Sequence, residues 1–278
     1  MMRTGMAAVL AGLVLASGAW AQTPGRWRWQ AGQVLVYRVE QTSRAAEVVG
    51  DARVEVATRH TVTKRWQVLG VDAAGVATLQ LSQTALAYEA TRPDGEVLRF
   101  DSAQPDKSTP QIREQFSRYV GQPLAVLRVD RQGKVVEVKE SKFGPASKFE
   151  NEPPFLALLP DDGPRAGQAW QRAYQVTLDP PQGTGEKFAA VQHYTCKAVA
   201  DNLATVALST EVTALPPALA DRVPLVQLQP EGEVVFDLQA GRLRSASLKI
   251  DKELKEHQGP GSSYRFQSTY TEQYVGDH

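Results

Sequence analysis

Apolar and polar residues alternate along most of this chain. Val54, Val56, Thr58, His60, Val62, Trp66 and Val68 interleave with Arg53, Glu55, Arg59, Thr61, Thr63, Arg65 and Gln67. Successive strand side chains point to opposite sides, so this run has one apolar and one solvated face. The pattern predicts that Val56, Val62 and Trp66 are buried and that Arg59 and Arg65 are exposed. The run far exceeds the usual strand of about 5–6 residues, which predicts bending or strong twist. The C-terminal stretch repeats the pattern. There Tyr264, Phe266, Tyr270 and Tyr274 face one way, and Arg265, Gln267, Thr269 and Gln273 the other. Leu35, Tyr37 and Val39 mark the first strand, and Ala246, Leu248 and Ile250 line one face of another.

Turn residues separate these runs at Asp72-Ala73-Ala74-Gly75, Pro93-Asp94-Gly95, Asp130-Arg131-Gln132-Gly133, Asp201-Asn202 and Gln239-Ala240-Gly241. Gly, Asn and Asp tolerate the positive φ of tight hairpins, so the spacing predicts an antiparallel meander rather than βαβ units. Helix is scarce. One is expected from Thr109-Pro110 to Val120, with Thr109 as cap, Pro110 at the first position and Gly121 as stop. Pro154 to Leu159 is a second candidate, and Pro216 to Asp221 a single turn. Between Glu140 and Gly167 Pro and Gly accumulate, which reads as a connection.

The two sides of that connection look alike. Gly32-Gln33 opens a strand with Tyr37, and Gly167-Gln168 opens one with Trp170 and Tyr174. Gly75-Val76-Ala77-Thr78-Leu79-Gln80-Leu81 matches Asn202-Leu203-Ala204-Thr205-Val206-Ala207-Leu208. Pro93-Asp94-Gly95-Glu96-Val97 with Phe100-Asp101 matches Pro230-Glu231-Gly232-Glu233-Val234 with Phe236-Asp237. Asp130-Arg131-Gln132-Gly133-Lys134-Val135 is similar to Asp237-Leu238-Gln239-Ala240-Gly241-Arg242-Leu243. Matched order predicts an internal duplication, with repeats at 22–140 and 167–278 around a linker at 141–166. The expected fold is mainly β: two tandem, curved, antiparallel half-barrel-like sheets with one or two short helices.

The pattern G-x-A-T-x-x-L, P-[DE]-G-E-V and F-D-x-x-x-G-[RK]-[LV] resembles exported bacterial β-rich proteins known only as domains of unknown function. More distantly, long curved strands with one helix resemble periplasmic lipoprotein-carrier and lipid-binding half-barrels, in which a curved sheet wraps a helix and an apolar cavity. Those carriers begin with a helix and are not obviously duplicated, and here the chain departs from them. The resemblance implies a fold and a compartment, and no functional residue carries over from it.

The first 21 residues read as a secretory signal peptide: Arg3, an uncharged run from Gly5 to Ala19, and the cleavage site Ala19-Trp20-Ala21 before Gln22. The expected location is the periplasm or the medium, with no transmembrane segment in the mature chain. The whole chain carries 31 basic and 31 acidic residues, which gives no electrostatic case for nucleic acid. Cys196 is the only cysteine, so no intramolecular disulfide forms. No metal-ligand spacing, nucleophile elbow or phosphate loop occurs, and no catalytic residue, metal site or cofactor is assigned. The candidate ligand-binding residues are His60, Trp66, Tyr264, Phe266, Tyr270 and Tyr274, a titratable group and aromatics on apolar strand faces. Trp27 and Trp29 are placed as a plug at one end of the sheet. The expected function is non-enzymatic binding of a lipid-like, apolar or amphipathic ligand, or of a cell-envelope protein. The alternatives are a structural envelope module and an envelope hydrolase with an unrecognised site.

Overall fold

A computed structural model describes residues 25–152, 154–155 and 157–277. The expected signal peptide and cleavage site lie outside the described residues, as does Leu156 of the connection. Among the described residues, twelve strands form one antiparallel sheet. They are β1 (Val34–Val49), β2 (Ala52–Val71), β3 (Ala77–Thr91), β4 (Val97–Asp101), β5 (Pro123–Val129) and β6 (Val135–Ser141). After the connection come β7 (Ala169–Leu178), β8 (Glu186–Ala200), β9 (Leu203–Val212), β10 (Glu231–Asp237), β11 (Arg242–Lys255) and β12 (Ser263–Gly276). The order is β6-β5-β3-β2-β1-β12-β11-β10-β9-β8-β7, with β4 on β3, so the sheet stays open between β6 and β7. The mainly β, antiparallel expectation holds. The sheets on either side of the connection join edge to edge, because β1 pairs with β12 from Val36 to Val48.

The sheet is strongly curled. Trp27 N–H donates to the Arg131 carbonyl in the β5–β6 turn, and Arg28 N–H to the Gly241 carbonyl in the β10–β11 turn, both at 2.9 Å. Six strand steps separate β5 from β10, or about 29 Å across a flat sheet at ~4.8 Å per strand. Two adjacent residues instead hold the turns within roughly 10 Å of each other. Glycine makes this approach feasible. Gly133 has φ +92°, and a Cβ there would sit 2.4 Å from Trp27 Nε1.

The largest of three apolar clusters fills the curl. Trp27, 2 % exposed, stacks on Trp29 at 5.0 Å and meets Phe155 and Phe236 at 5.3 and 5.2 Å. Trp66 meets the same Phe155 at 5.0 Å. Large aromatics each bury roughly 150–250 Å², so this cluster ties the connection to strands from both sides. Val62, Trp66 and Val68 are buried on β2 as expected, and Arg59 is exposed. Val56 corrects the expectation: it is 37 % exposed. It lies where the β1–β2 hairpin runs beyond the covered part of the sheet, opposite Ala45. Arg65 is half-buried, its guanidinium donating to Gln67.

Helix α1 (Pro110–Ser117) begins where expected but stops short of Val120. Ile112, Phe116 and Val120 pack on Val39, Val62, Leu86 and Phe100. The Thr109 hydroxyl does not cap it; the oxygen accepts Arg99 N–H of β4 at 3.1 Å. The described residues between Pro154 and Leu159 form turns rather than a helix, with Phe155 fully buried. The expected helical turn at Pro216–Asp221 lies further on, as a 3-10 turn at Ala220–Arg222 leading into α2 (Val223–Val226).

Three of the sequence matches occupy corresponding places. Gly32 N–H bonds to Val68 O and Val68 N–H to Gln33 O; Gly167 N–H bonds to Cys196 O and Cys196 N–H to Gln168 O. The Ala77–Leu81 and Ala204–Leu208 segments open β3 and β9. The Asp130 and Asp237 segments both form turns in which the aspartate carboxylate accepts backbone N–H groups. The P-[DE]-G-E-V copies differ: the first is the β3–β4 turn and the second leads into β10.

Candidate functional site

The inner face of β2 carries one charge, Lys64, between Val62 and Trp66. It is 6 % exposed. Its Nζ lies 2.5 Å from Glu152 Oε1 of the connection and 3.9 Å from Glu272 Oε1 of β12. Glu272 is fully buried, and its Oε2 accepts the Tyr270 hydroxyl at 2.9 Å. Burial opposes the Lys64 charge, but Glu152 and Glu272 outweigh it and hold the ammonium above its ordinary value. Burial pushes the Glu272 carboxyl up, with Lys64 and the Tyr270 hydrogen bond pulling the other way. Burial and the Glu272 charge raise the Tyr270 hydroxyl well above a free tyrosine.

The Lys64–Glu152 pair pins the connection across the concave side of the sheet. Further ties are Ser147 Oγ to Asp179 Oδ2 (2.6 Å), Arg172 to the Asn151 side chain, and Trp170 Nε1 to the Leu158 carbonyl (2.8 Å). A cleft lies on each side of the connection. The first, about 350 Å³, has His60, Val62, Leu86, Phe116 and Phe149 in its wall. The second, about 320 Å³, has Tyr174, Val176, Leu228, Leu248, Ile250 and Tyr270 in its wall, with polar side chains such as Gln41, Asp179 and Lys249 around them. Lys148 lines both.

The six residues singled out in the sequence share the concave side of the sheet but do not converge. His60 is half-buried in the first cleft, edge-on to Tyr88 at 4.7 Å, and burial lowers its pKa. Trp66 is 1 % exposed and stands in the core. Tyr270 reaches the second cleft. Tyr264 and Phe266 lie half-buried on the outer reach of β12, Tyr264 beside His257. Tyr274 sits near the other end of β12, edge-on to Tyr37, beneath the Arg242 guanidinium at 3.8 Å. Its hydroxyl donates to Asp277, and burial and that carboxylate push it up to about 12.

Sequence reasoning missed Lys64 and Glu272, although both fall on the apolar register of their strands. A charge at an inward position was the available signal, since charged groups are buried almost only when paired. Glu152 carried no signal, because it meets Lys64 only through the path of the connection. Among the described residues no group of three or more His, Cys, Asp or Glu is placed to hold a metal ion.

No protein-family model matches the chain, and no characterised protein matches it in sequence. Among solved structures it is similar to DynF from the dynemicin biosynthesis pathway of Micromonospora chersina, at 9 % identity over 96 % of this chain and 94 % of that one, with TM-score 0.23. It is also similar to MucB in complex with MucA(peri), at 7 % identity over 85 % and 89 % of the two chains, with TM-score 0.16. The Pseudomonas aeruginosa MucA/MucB complex gives 9 % identity over 85 % and 89 %, with TM-score 0.14. Likeness at this level carries no argument about what the chain does.

Proposed function

We propose that this protein is an exported, non-enzymatic binding protein that holds an apolar or amphipathic molecule against the concave face of its sheet. The observation that carries the reading is the second cleft. Tyr174, Val176, Leu228, Leu248, Ile250 and Tyr270 give it a continuous apolar part within a rim of polar side chains, and its volume of about 320 Å³ falls within the roughly 300–1,000 Å³ of small-molecule sites. Apolar ligand surface entering it gains about 25 cal/mol per Å² removed from water. Gln41, Lys148, Gln227 and Lys249 supply polar contacts, the usual means of orienting a ligand. Export to the periplasm or medium is supported by Arg3, the apolar run and Ala19-Trp20-Ala21. Two repeats, 22–140 and 167–278, are supported by the matched bonding at Gly32 and Gly167 and by the matched aspartate turns.

Native mass spectrometry of the protein from its own compartment tests both parts. The expected spectrum shows a chain beginning at Gln22 and a small amphipathic molecule that leaves on activation. A chain retaining Met1 overturns export. Protein free of any small molecule, together with no saturable uptake of lipid-like compounds, overturns the ligand reading and favours an envelope-protein partner.

A further inference from the structure

The open sheet ends in two free edges, and both border one cleft of about 630 Å³. Four consecutive residues of β6 (135–138) and four of β7 (172–175) line it. Neighbouring strand side chains point to opposite faces, so a cleft touching four in a row lies along the strand's edge, against its backbone. Ala146, Asn151 and Leu158 of the connection also line it. Among the described residues, no backbone group on the outer side of either strand has a backbone partner.

The β7–β8 ladder fixes which groups are free. Cys196 N–H donates to Gln168 O at 2.9 Å, and Trp170 lies opposite Tyr194. Alternation in an antiparallel ladder then gives the even-numbered residues of β7 to β8. Gln171, Ala173 and Gln175 therefore direct N–H and C=O toward the cleft. The outer side of β4 is treated differently. There Ser108 Oγ accepts Asp101 N–H, Thr109 Oγ1 accepts Arg99 N–H, and Thr109 N–H donates to Arg99 O. One edge is capped, while the two that face each other are left open. Unpaired edges are ready templates for another strand.

We infer that the β6–β7 cleft is a docking slot for an extended polypeptide segment of a partner protein, which adds as a strand to the free edges. Backbone hydrogen bonds supply the affinity in this mode, and pockets for alternate side chains supply the preference. Val138, Leu158 and Tyr174 give the wall an apolar part beside the polar Glu137, Arg172 and Gln175, and Lys134 and Glu150 border it without an ion pair among the described residues. The segment that fits carries apolar residues at alternate positions and charges of both signs. This site is separate from the small-molecule cleft, and either reading can fail alone.

Random peptides displayed on phage, panned on the folded full chain, provide the probe. Enriched peptides, resynthesised and labelled, are expected to alternate apolar and polar residues and to bind saturably. Ala173 is exposed and its N–H faces the cleft, so Ala173→Pro removes a donor where an edge strand tolerates proline. It should weaken binding about tenfold, the worth of one good hydrogen bond, and Ala173→Ser should not. Should Ala173→Pro fail to fold, hydrogen exchange on the unaltered protein decides: the Gln171, Ala173 and Gln175 amides exchange quickly alone and are protected with peptide. No enriched peptide, binding without protection of those amides, or amides already slow without peptide overturns the proposal.

Discussion

Lys64 shows what a single inward charge does to this fold. It sits at 6 % exposure between two carboxylates from different parts of the chain. Removing one member of a buried pair leaves the other desolvated and unmatched, at about 3–5 kcal/mol. Lys64→Met should therefore lower the stability measured by urea titration by about that much. Lys64→Met with Glu272→Gln should cost less than the two single changes added together. A Lys64→Met protein within about 0.5 kcal/mol of the original would show the pair to be idle. The tyrosines give a second test. Burial raises Tyr37, Tyr194, Tyr270 and Tyr274, with Tyr194 and Tyr274 pushed up to about 12. Unfolded tyrosines ionise near about 10. The folded values lie above the unfolded one, so this stability is fully present below about pH 10 and is lost as pH rises toward the folded values. Absorbance at alkaline pH should show most phenolates appearing together with unfolding. Smooth titration of all tyrosines near pH 10 with the fold intact would contradict their burial.

At the scale of elements, period two made the strands legible, because a half-buried strand writes its two faces into the sequence. β2 and β12 were readable from Trp66 and Tyr270 outward. Turn chemistry at Gly133 and Gly241 was readable too, and Trp27 and Trp29 were placed at one end of the sheet, but not which turns they meet, because that contact is long-range. Helical periodicity without a cap bond misled the reading near Val120, and a short run of apolar residues did so over Pro154–Leu159. Two glycine substitutions separate local strain from the close approach. Gly95 has φ +84° with open space around it, whereas Gly133 has φ +92° and Trp27 against it. Gly95→Ala should cost about 1–2 kcal/mol, the left-handed penalty alone. Gly133→Ala should cost clearly more and broaden the tryptophan emission as Trp27 shifts. Equal costs would mean that Trp27 is not held against the turn.

At the scale of the whole molecule, the sheet curls until its edges border one cleft, and the connection crosses the concave side. No local pattern encodes that path, so the clefts, Glu152 and Lys148 were beyond a strand-by-strand reading. His60 and Tyr270 were singled out because they lie on inward registers, and they line clefts on different sides of the connection. Under the proposed function the Tyr174–Tyr270 cleft holds an apolar or amphipathic molecule. The most direct measurement is titration of the folded chain with an environment-sensitive fluorophore, repeated with Leu228→Glu. Leu228 is half-buried on the cleft wall, so the variant places a charge there without opening the Trp27 core. Saturable binding displaced by fatty-acid-like compounds, and weakened tenfold or more in Leu228→Glu at unchanged thermal stability, is the predicted result. Linear, non-saturating signal, or equal affinity in both proteins, would contradict it.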